Sequence, residues 1–184
     1  EPALTSLGGG GFLLARTQQG RATLFDFFVD TPGRGLQAGR LEPHFLPVTV
    51  RFPGCDQVFN VGQGSVAVPG VVRGYLHIHR QLGRLPLSAV LVPAIRLARD
   101  GVTINAKQGY FLALLTPIMT LSEPGRTLFQ PDGRYLGEGD SYCNPDLAAF
   151  LETLAEDGDR TFYEGDLARR MVQQMEDGGG LLTA

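Results

Sequence analysis

Few residues in this chain have the types and spacing that chemistry needs. His77 and His79 stand two apart within a run, Val71, Tyr75, Ile78 and Leu82, of helical spacing. On a helix they point in different directions, so a shared metal is not expected and surface or satisfied histidines are. Cys55 and Cys143 are the only cysteines; their separation makes no metal motif, and they read as free thiols. Gly8 to Gly11 is a glycine run of the kind that could cradle a phosphate. It precedes a strand-length apolar run, Phe12 to Ala15, rather than a helix, and no Lys-Ser or Lys-Thr follows. Nucleotide binding is therefore discounted in favour of a tight, close-packed loop. Glu152, Glu156, Asp157, Asp159, Glu164 and Asp166 read as solvated helix faces and ends. No acid–base pair, Ser-His-Asp set, metal cluster or cofactor motif stands out.

The elements that must position these residues begin with a hairpin. Phe12–Ala15 and Ala22–Val29 are apolar runs joined by the turn Thr17-Gln18-Gln19-Gly20. Neither run alternates cleanly, which suits strands covered on both faces. Thr31 to Gly64 reads as a long loop with a short strand at Val48–Phe52, and Ser65–Val68 as another short strand. Pro69 suits the first turn of a helix that Gly83 ends. Pro93 is expected to start a second helix stopped by Gly101. Residues 103–121 read as helical, interrupted at Pro117. Asp132-Gly133 signals a hairpin between Thr127–Phe129 and Arg134–Leu136. Asn144-Pro145 opens a helix with Leu147, Leu151 and Leu154 on its buried face, closed by Gly158. A last helix is expected over residues 163–177. Residues 1–68 are thus mainly strand and loop and 69–184 mainly helical, an α+β order.

A length of 184 residues allows one domain or part of a larger one. With 43% hydrophobic and 19% charged residues the composition is that of a globular protein. A formal net charge of −3 and no basic, aromatic-interleaved stripe speak against nucleic acid as a partner. No apolar run reaches the length of a membrane span, and no signal peptide is expected among the residues given.

An ordered series of short motifs carries a resemblance. Residues 1–14, EPALTSLGGGGFLL, come first, then Leu24-Phe25-Asp26-Phe27 leading to Thr31-Pro32. Ser65 to Gly70, Gly83-Arg84-Leu85-Pro86 and Pro93 to Gly101 follow. Pro131-Asp132-Gly133-Arg134, Glu138-Gly139-Asp140, Asn144 to Ala148, Phe162 to Gly165 and Gly179 to Thr183 complete the series. In this order they resemble the γ-glutamyltranspeptidase family over essentially the whole chain. The resemblance implies part of an αββα N-terminal-nucleophile hydrolase fold, a β-hairpin plus a helical layer. It implies γ-glutamyl transfer or hydrolysis of glutathione-like amides, without a cofactor. The catalytic threonine of such enzymes heads a small subunit freed by self-cleavage, and its own amine can serve as base. That threonine pair followed by histidine is absent here, so the chain resembles an interior segment of the large subunit, with the small subunit as its partner.

One substrate-binding position falls within the segment. The family's second strand reads Asp-(Gly/Phe)-Arg-Glu-x-Ala-Pro, and its arginine grips the glutamyl α-carboxylate, a task suited to guanidinium. Aligned on Asp26 and Pro32, that position is Phe28, which cannot pair with a carboxylate. Arg34, in the Gly33-Arg34-Gly35 loop, is a candidate to reach back; a core phenylalanine and a solvated arginine are the plain alternatives. Phe28 motivates a rival substrate class, acyl amides lacking the α-carboxylate, and a non-catalytic binding or assembly homologue is a third reading. The apolar hairpin also suggests that the chain pairs with another copy or exposes an apolar patch. Residues 1–184, purified alone, should release no chromophore from a γ-glutamyl anilide; turnover above buffer that survives controls for contaminating enzyme would refute the assignment of the nucleophile to another segment.

Overall fold

The computed structural model describes residues 4–37, 39 and 41–183. Glu1 and Pro2, which open the glycine motif, lie outside the described residues. In chain order the elements are strands β1 (Gly11–Arg16), β2 (Ala22–Phe27), β3 (Leu46–Phe52) and β4 (Cys55–Val61), then helices α1 (Val71–Leu82) and α2 (Leu87–Asp100). Strand β5 (Val102–Thr103) and helices α3 (Ala106–Met119) and α4 (Glu123–Phe129) follow, then β6 (Ser141–Tyr142), α5 (Pro145–Asp157), α6 (Arg160–Tyr163) and α7 (Asp166–Gly178). The strands form three separate antiparallel pairs, β1–β2, β3–β4 and β5–β6. The chain divides into two compact units, residues 46–61 with 88–156, and residues 6–45 with 62–87 and 157–183.

In the first unit a capping box starts α3. Asn105 Oδ1 accepts the Gln108 N–H and Gln108 Oε1 accepts the Asn105 N–H, both at 3.0 Å. Leu112 of this helix packs with Ile104, Phe129 and Leu136, and Tyr142 stacks on Phe129 with ring centroids 5.6 Å apart. The strand pair β3–β4 turns at Pro53-Gly54, where Gly54 takes φ +96°, and Val50 is fully buried. Asn144 caps α5 by accepting the Leu147 N–H at 2.9 Å, and Ala148, Leu151 and Leu154 are buried. Arg99 of α2 pairs with Glu152 of α5 at 2.7 Å.

In the second unit the β1–β2 hairpin lies on α1. Cross-strand partners run from Gly11↔Phe27 to Arg16↔Ala22, so Leu13 faces the same way as its partner Phe25. Phe25 is buried and meets His77 edge-on, and Phe27 meets Tyr75 edge-on at 5.4 Å. The other face carries Phe12, Leu14 and Leu24, exposed at 60%, 73% and 63%. Within this unit the hairpin is covered on one face only.

Several expectations need correction. Residues 127–136 do not form a hairpin. Ser122 Oγ caps α4 through the Gly125 N–H at 3.1 Å, and the proline at Pro124 suits its first turn. The helix consumes Thr127–Phe129, and Asp132-Gly133 falls in a 3₁₀ turn, Pro131–Gly133, with both residues at positive φ. Pro93 lies inside α2 rather than at its start, and α3 runs on past Pro117 to Met119. Strand β4 was hidden in the long loop. Ser65–Val68 is a 3₁₀ turn at Gln63–Ser65 followed by a single bridge, Asp30↔Val68. The last helix starts at Asp166, three residues later than expected, and a separate short helix, α6, precedes it. Tyr75 and Leu82 of α1 are exposed, and its buried face is Val71, Val72 and Leu76.

The loop after α4 is tied by a fork: Arg134 Nη1 and Nη2 donate to Asp140 Oδ2 and Oδ1 at 2.7 and 2.8 Å, and the Gly137 N–H adds a third bond at 2.7 Å. The guanidinium first, then the Gly137 N–H, hold the Asp140 carboxyl down from 3.8 to about 2. A carboxyl lowered in the folded state contributes stability that is present above its unfolded value and lost as pH falls through the folded one. Between about pH 4 and pH 2, therefore, the wild-type denaturant midpoint should fall more steeply than that of Asp140→Asn, and added salt should shrink the difference at this exposed pair. Equal slopes would show that the fork does not couple to unfolding.

Candidate functional site

The site is built in the second unit, where the glycine run, the end of β2 and the start of α1 converge. The Gly9 carbonyl accepts the N–H groups of both Gly70 and Val71 at 3.0 Å. These are first-turn donors of α1 that no intrahelical acceptor can reach. The close approach explains the glycines. A Cβ on Gly10 would meet Val29 N at 2.5 Å, one on Gly70 would run into the Phe27 carbonyl, and one on Gly74 into the Phe27 ring and Cβ. The run Gly8–Gly11 thus works as a close-packed turn whose carbonyl holds a helix start.

Phe28 lies just beyond β2. It is 58% exposed and stacks on Phe12, ring centroids 5.3 Å apart and planes 12° from parallel. Its backbone N–H donates to Asp26 Oδ1 at 3.0 Å. It is therefore not a core residue within its unit. Phe28 to Pro32 and Gly64 to Ala67 line an open pocket of about 250 Å³. The Asp30↔Val68 bridge ties the two walls, with N–H···O distances of 2.8 and 3.2 Å. Arg34 is exposed in the following turn and does not line this pocket. The structure therefore places Phe28 on the pocket wall but does not bring Arg34 to it.

A larger groove of about 590 Å³ runs beside β2 and the start of α1, lined by Leu24, Asp26, Phe27, Arg73, His77 and Tyr163 among others. At its end Arg73 Nε donates to Asp159 Oδ2 at 2.7 Å, with Glu164 at 3.9 Å. The Arg73 guanidinium also lies 4.2 Å from the centre of the Tyr163 ring. The hydrogen bond from Arg73 holds the Asp159 carboxyl below the usual range, and burial pushes the Tyr163 phenol up. Sequence reading took Asp159 as a solvated helix end and gave Tyr163 no role. The Phe-Tyr-Glu-Gly motif was visible, but not the partner of its tyrosine.

Elsewhere the chemistry-bearing residues are occupied or isolated. His77 Nε2 bonds Gln81 Nε2 at 2.7 Å, and His79 Nε2 bonds the Leu85 carbonyl at 2.9 Å. Both cysteines are free and exposed, and the Cys143 thiol donates to the Arg99 carbonyl at 3.0 Å. Among the described residues no group of three His, Cys, Asp or Glu side chains converges as a metal site. The pocket beside Phe28 holds hydroxyls, Ser65 and Thr31, but neither histidine nor lysine lines it to act as a base. The arrangement can bind and orient a small group; it does not assemble a nucleophile.

A family model described as Gamma-glutamyltranspeptidase matches residues 1–184. The chain is 31% identical over 183 residues to the glutathione hydrolase proenzyme of Escherichia coli (strain K12), covering 99% of this chain and 30% of that protein. The crystal structure of Helicobacter pylori gamma-glutamyltranspeptidase superposes with a TM-score of 0.81 at 26% identity, over 99% of this chain and 50% of that one. The cephalosporin acylase of Bacillus halodurans shares the fold, with a TM-score of 0.75 at 24% identity, over all of this chain and 33% of that one. The α+β elements are thus those of the N-terminal-nucleophile hydrolase fold. The chain spans less than a third of the length of curated relatives that it matches. By the agreement of its motifs, its full-length match and its fold, this chain belongs to the γ-glutamyltranspeptidase family.

Proposed function

We propose that this chain is an interior segment of the large subunit of an enzyme that transfers or hydrolyses γ-glutamyl groups of glutathione-like amides. The observation that carries this reading is the family match along all 184 residues, supported by a relative named glutathione hydrolase proenzyme. The word proenzyme supports a precursor cut into two subunits. The nucleophile, an N-terminal threonine acting with its own amine, belongs in this reading to the small subunit. The segment's part is to carry one wall of the acyl pocket.

That wall is the Phe28 segment. Where the family's pattern has a carboxylate-binding arginine, this chain presents an aromatic ring, exposed and stacked on Phe12. An arginine–carboxylate pair contributes ~1.5–3 kcal/mol. Its loss weakens binding of a glutamyl α-carboxylate roughly ten- to a hundred-fold. A ring also leaves a carboxylate desolvated without a partner, while it favours an apolar acyl group. Phe28 alone therefore favours a second reading, an amidase or acylase of the same fold for acyl groups lacking the α-carboxylate. The names of the relatives support the glutamyl reading as the first.

The test is kcat/KM for a matched pair of glutamyl and glutaryl anilides with the complete protein. Wild type should discriminate between them by less than an arginine-bearing relative does, and Phe28→Arg should shift the ratio towards the glutamyl donor by about tenfold or more. A wild-type preference for the glutamyl donor as strong as that relative's would mean another cation grips the carboxylate. Arg34, exposed in the next turn, is then the first to replace with alanine. Turnover of neither anilide would overturn the proposed activity.

A further inference from the structure

Helix α1 starts behind a glycine. Gly70 occupies its N-cap and has no side chain to satisfy the first-turn N–H groups. A group from far along the chain completes the cap. The Tyr163 hydroxyl accepts the Arg73 N–H at 3.2 Å and donates to the Pro69 carbonyl at 2.9 Å. A phenol can do both at once, having one proton to give and lone pairs to accept with. The ring is held on two sides, by the Arg73 guanidinium 4.2 Å from its centre and by Phe162, edge-on at 4.9 Å. Arg73 is itself fixed by Asp159.

Pro69 is two residues past Ala67, where the pocket lining ends. Its neighbour Val68 donates to and accepts from Asp30, and that bridge joins the Phe28–Pro32 wall to the Gly64–Ala67 wall. The Tyr163 hydroxyl is thus linked to the pocket by one hydrogen bond, one peptide unit and one two-bond bridge. We propose that Tyr163 is a positioning residue: by fixing the Pro69 carbonyl it sets the spacing of the two pocket walls. That the walls receive an acyl group rests on the reading above; the link from Tyr163 to Asp30 rests on the hydrogen bonds alone.

Tyr163→Phe removes the hydroxyl and keeps the ring on Arg73. In the complete protein, the amides of Val68 and Asp30 should exchange with solvent about tenfold faster in this variant, as expected for a lost hydrogen bond. The amides of Leu13 and Phe25, in the β1–β2 ladder, should keep their wild-type rates. KM for the anilide that wild type prefers should rise several-fold, with kcat changed less than about twofold. Unchanged exchange at Val68 and Asp30 overturns the proposal, and so does equal acceleration at Leu13 and Phe25, which marks general loosening. If wild type turns over no anilide, the proposed activity fails while the exchange comparison still decides the positioning role. Should Tyr163→Phe not fold, Arg73→Gln frees the ring but keeps the hydroxyl. The same amides should then exchange faster, and wild-type rates there would equally overturn the proposal.

Discussion

The second unit depends on the approach of β2 to the first turn of α1. The Phe27 carbonyl and ring lie where any side chain on Gly70 or Gly74 would be. Because the backbones are that close, the Gly9 carbonyl can take two helix donors at once. Phe27 is followed directly by Phe28, so the same contact fixes where the pocket wall begins. Hydrophobic burial alone could not do this. It is non-directional and roughly proportional to area, whereas steric exclusion at Gly10, Gly70 and Gly74 admits one register. The hairpin's opposite face, with Phe12, Leu14 and Leu24 exposed, adds nothing to that selection within the unit.

Local signals in the sequence were sufficient where one element needed only its own residues. Pro69 and Gly83 bracket α1, Asn144-Pro145 and Gly158 bracket α5, and Thr17–Gly20 turns the first hairpin, with Gly20 at φ +83°. They failed where competing signals overlapped. Asp132-Gly133 is a strong turn dipeptide, but Ser122 and Pro124 had already begun a helix that ends at Phe129. Strand β4 was obscured because Asp56, Gln57 and Asn60 break its apolar pattern, and all its residues but Val61 are exposed. The near-continuous apolar strands of the first hairpin suggested cover on both faces; one face is open within the unit. The buried face of α1 is set by what packs on it, Phe27 against Gly74, and a glycine carries no hydrophobic signal.

The candidate site divides the same way. Phe28 was legible through the family pattern, because Asp26 and Pro32 fix its place in the alignment. Its exposure and its stacking on Phe12 were not. Tyr163 was invisible as a cap, since its partner Pro69 stands 94 residues away and no local pattern encodes such a pair. Asp159 read as a solvated helix end, while Arg73 and Tyr163 carried no functional reading of their own; together they lock the ring that completes the α1 cap.

The close approach itself can be tested with a single methyl group. Gly74 sits in the second turn of α1, where alanine is the better helix former by ~1 kcal/mol. Propensity alone therefore makes Gly74→Ala stabilising. The steric account makes it destabilising, because the new Cβ would strike Phe27 at its Cβ and Cγ rather than at a flexible tip. Overpacking of that kind costs typically ~1–3 kcal/mol. The thermal midpoint of residues 1–184 should therefore fall by a few degrees, on the scale of about 2–4 °C per kcal/mol. A midpoint that rises would show that β2 and α1 are not in contact through Phe27, and the organisation of the pocket wall described above would be wrong.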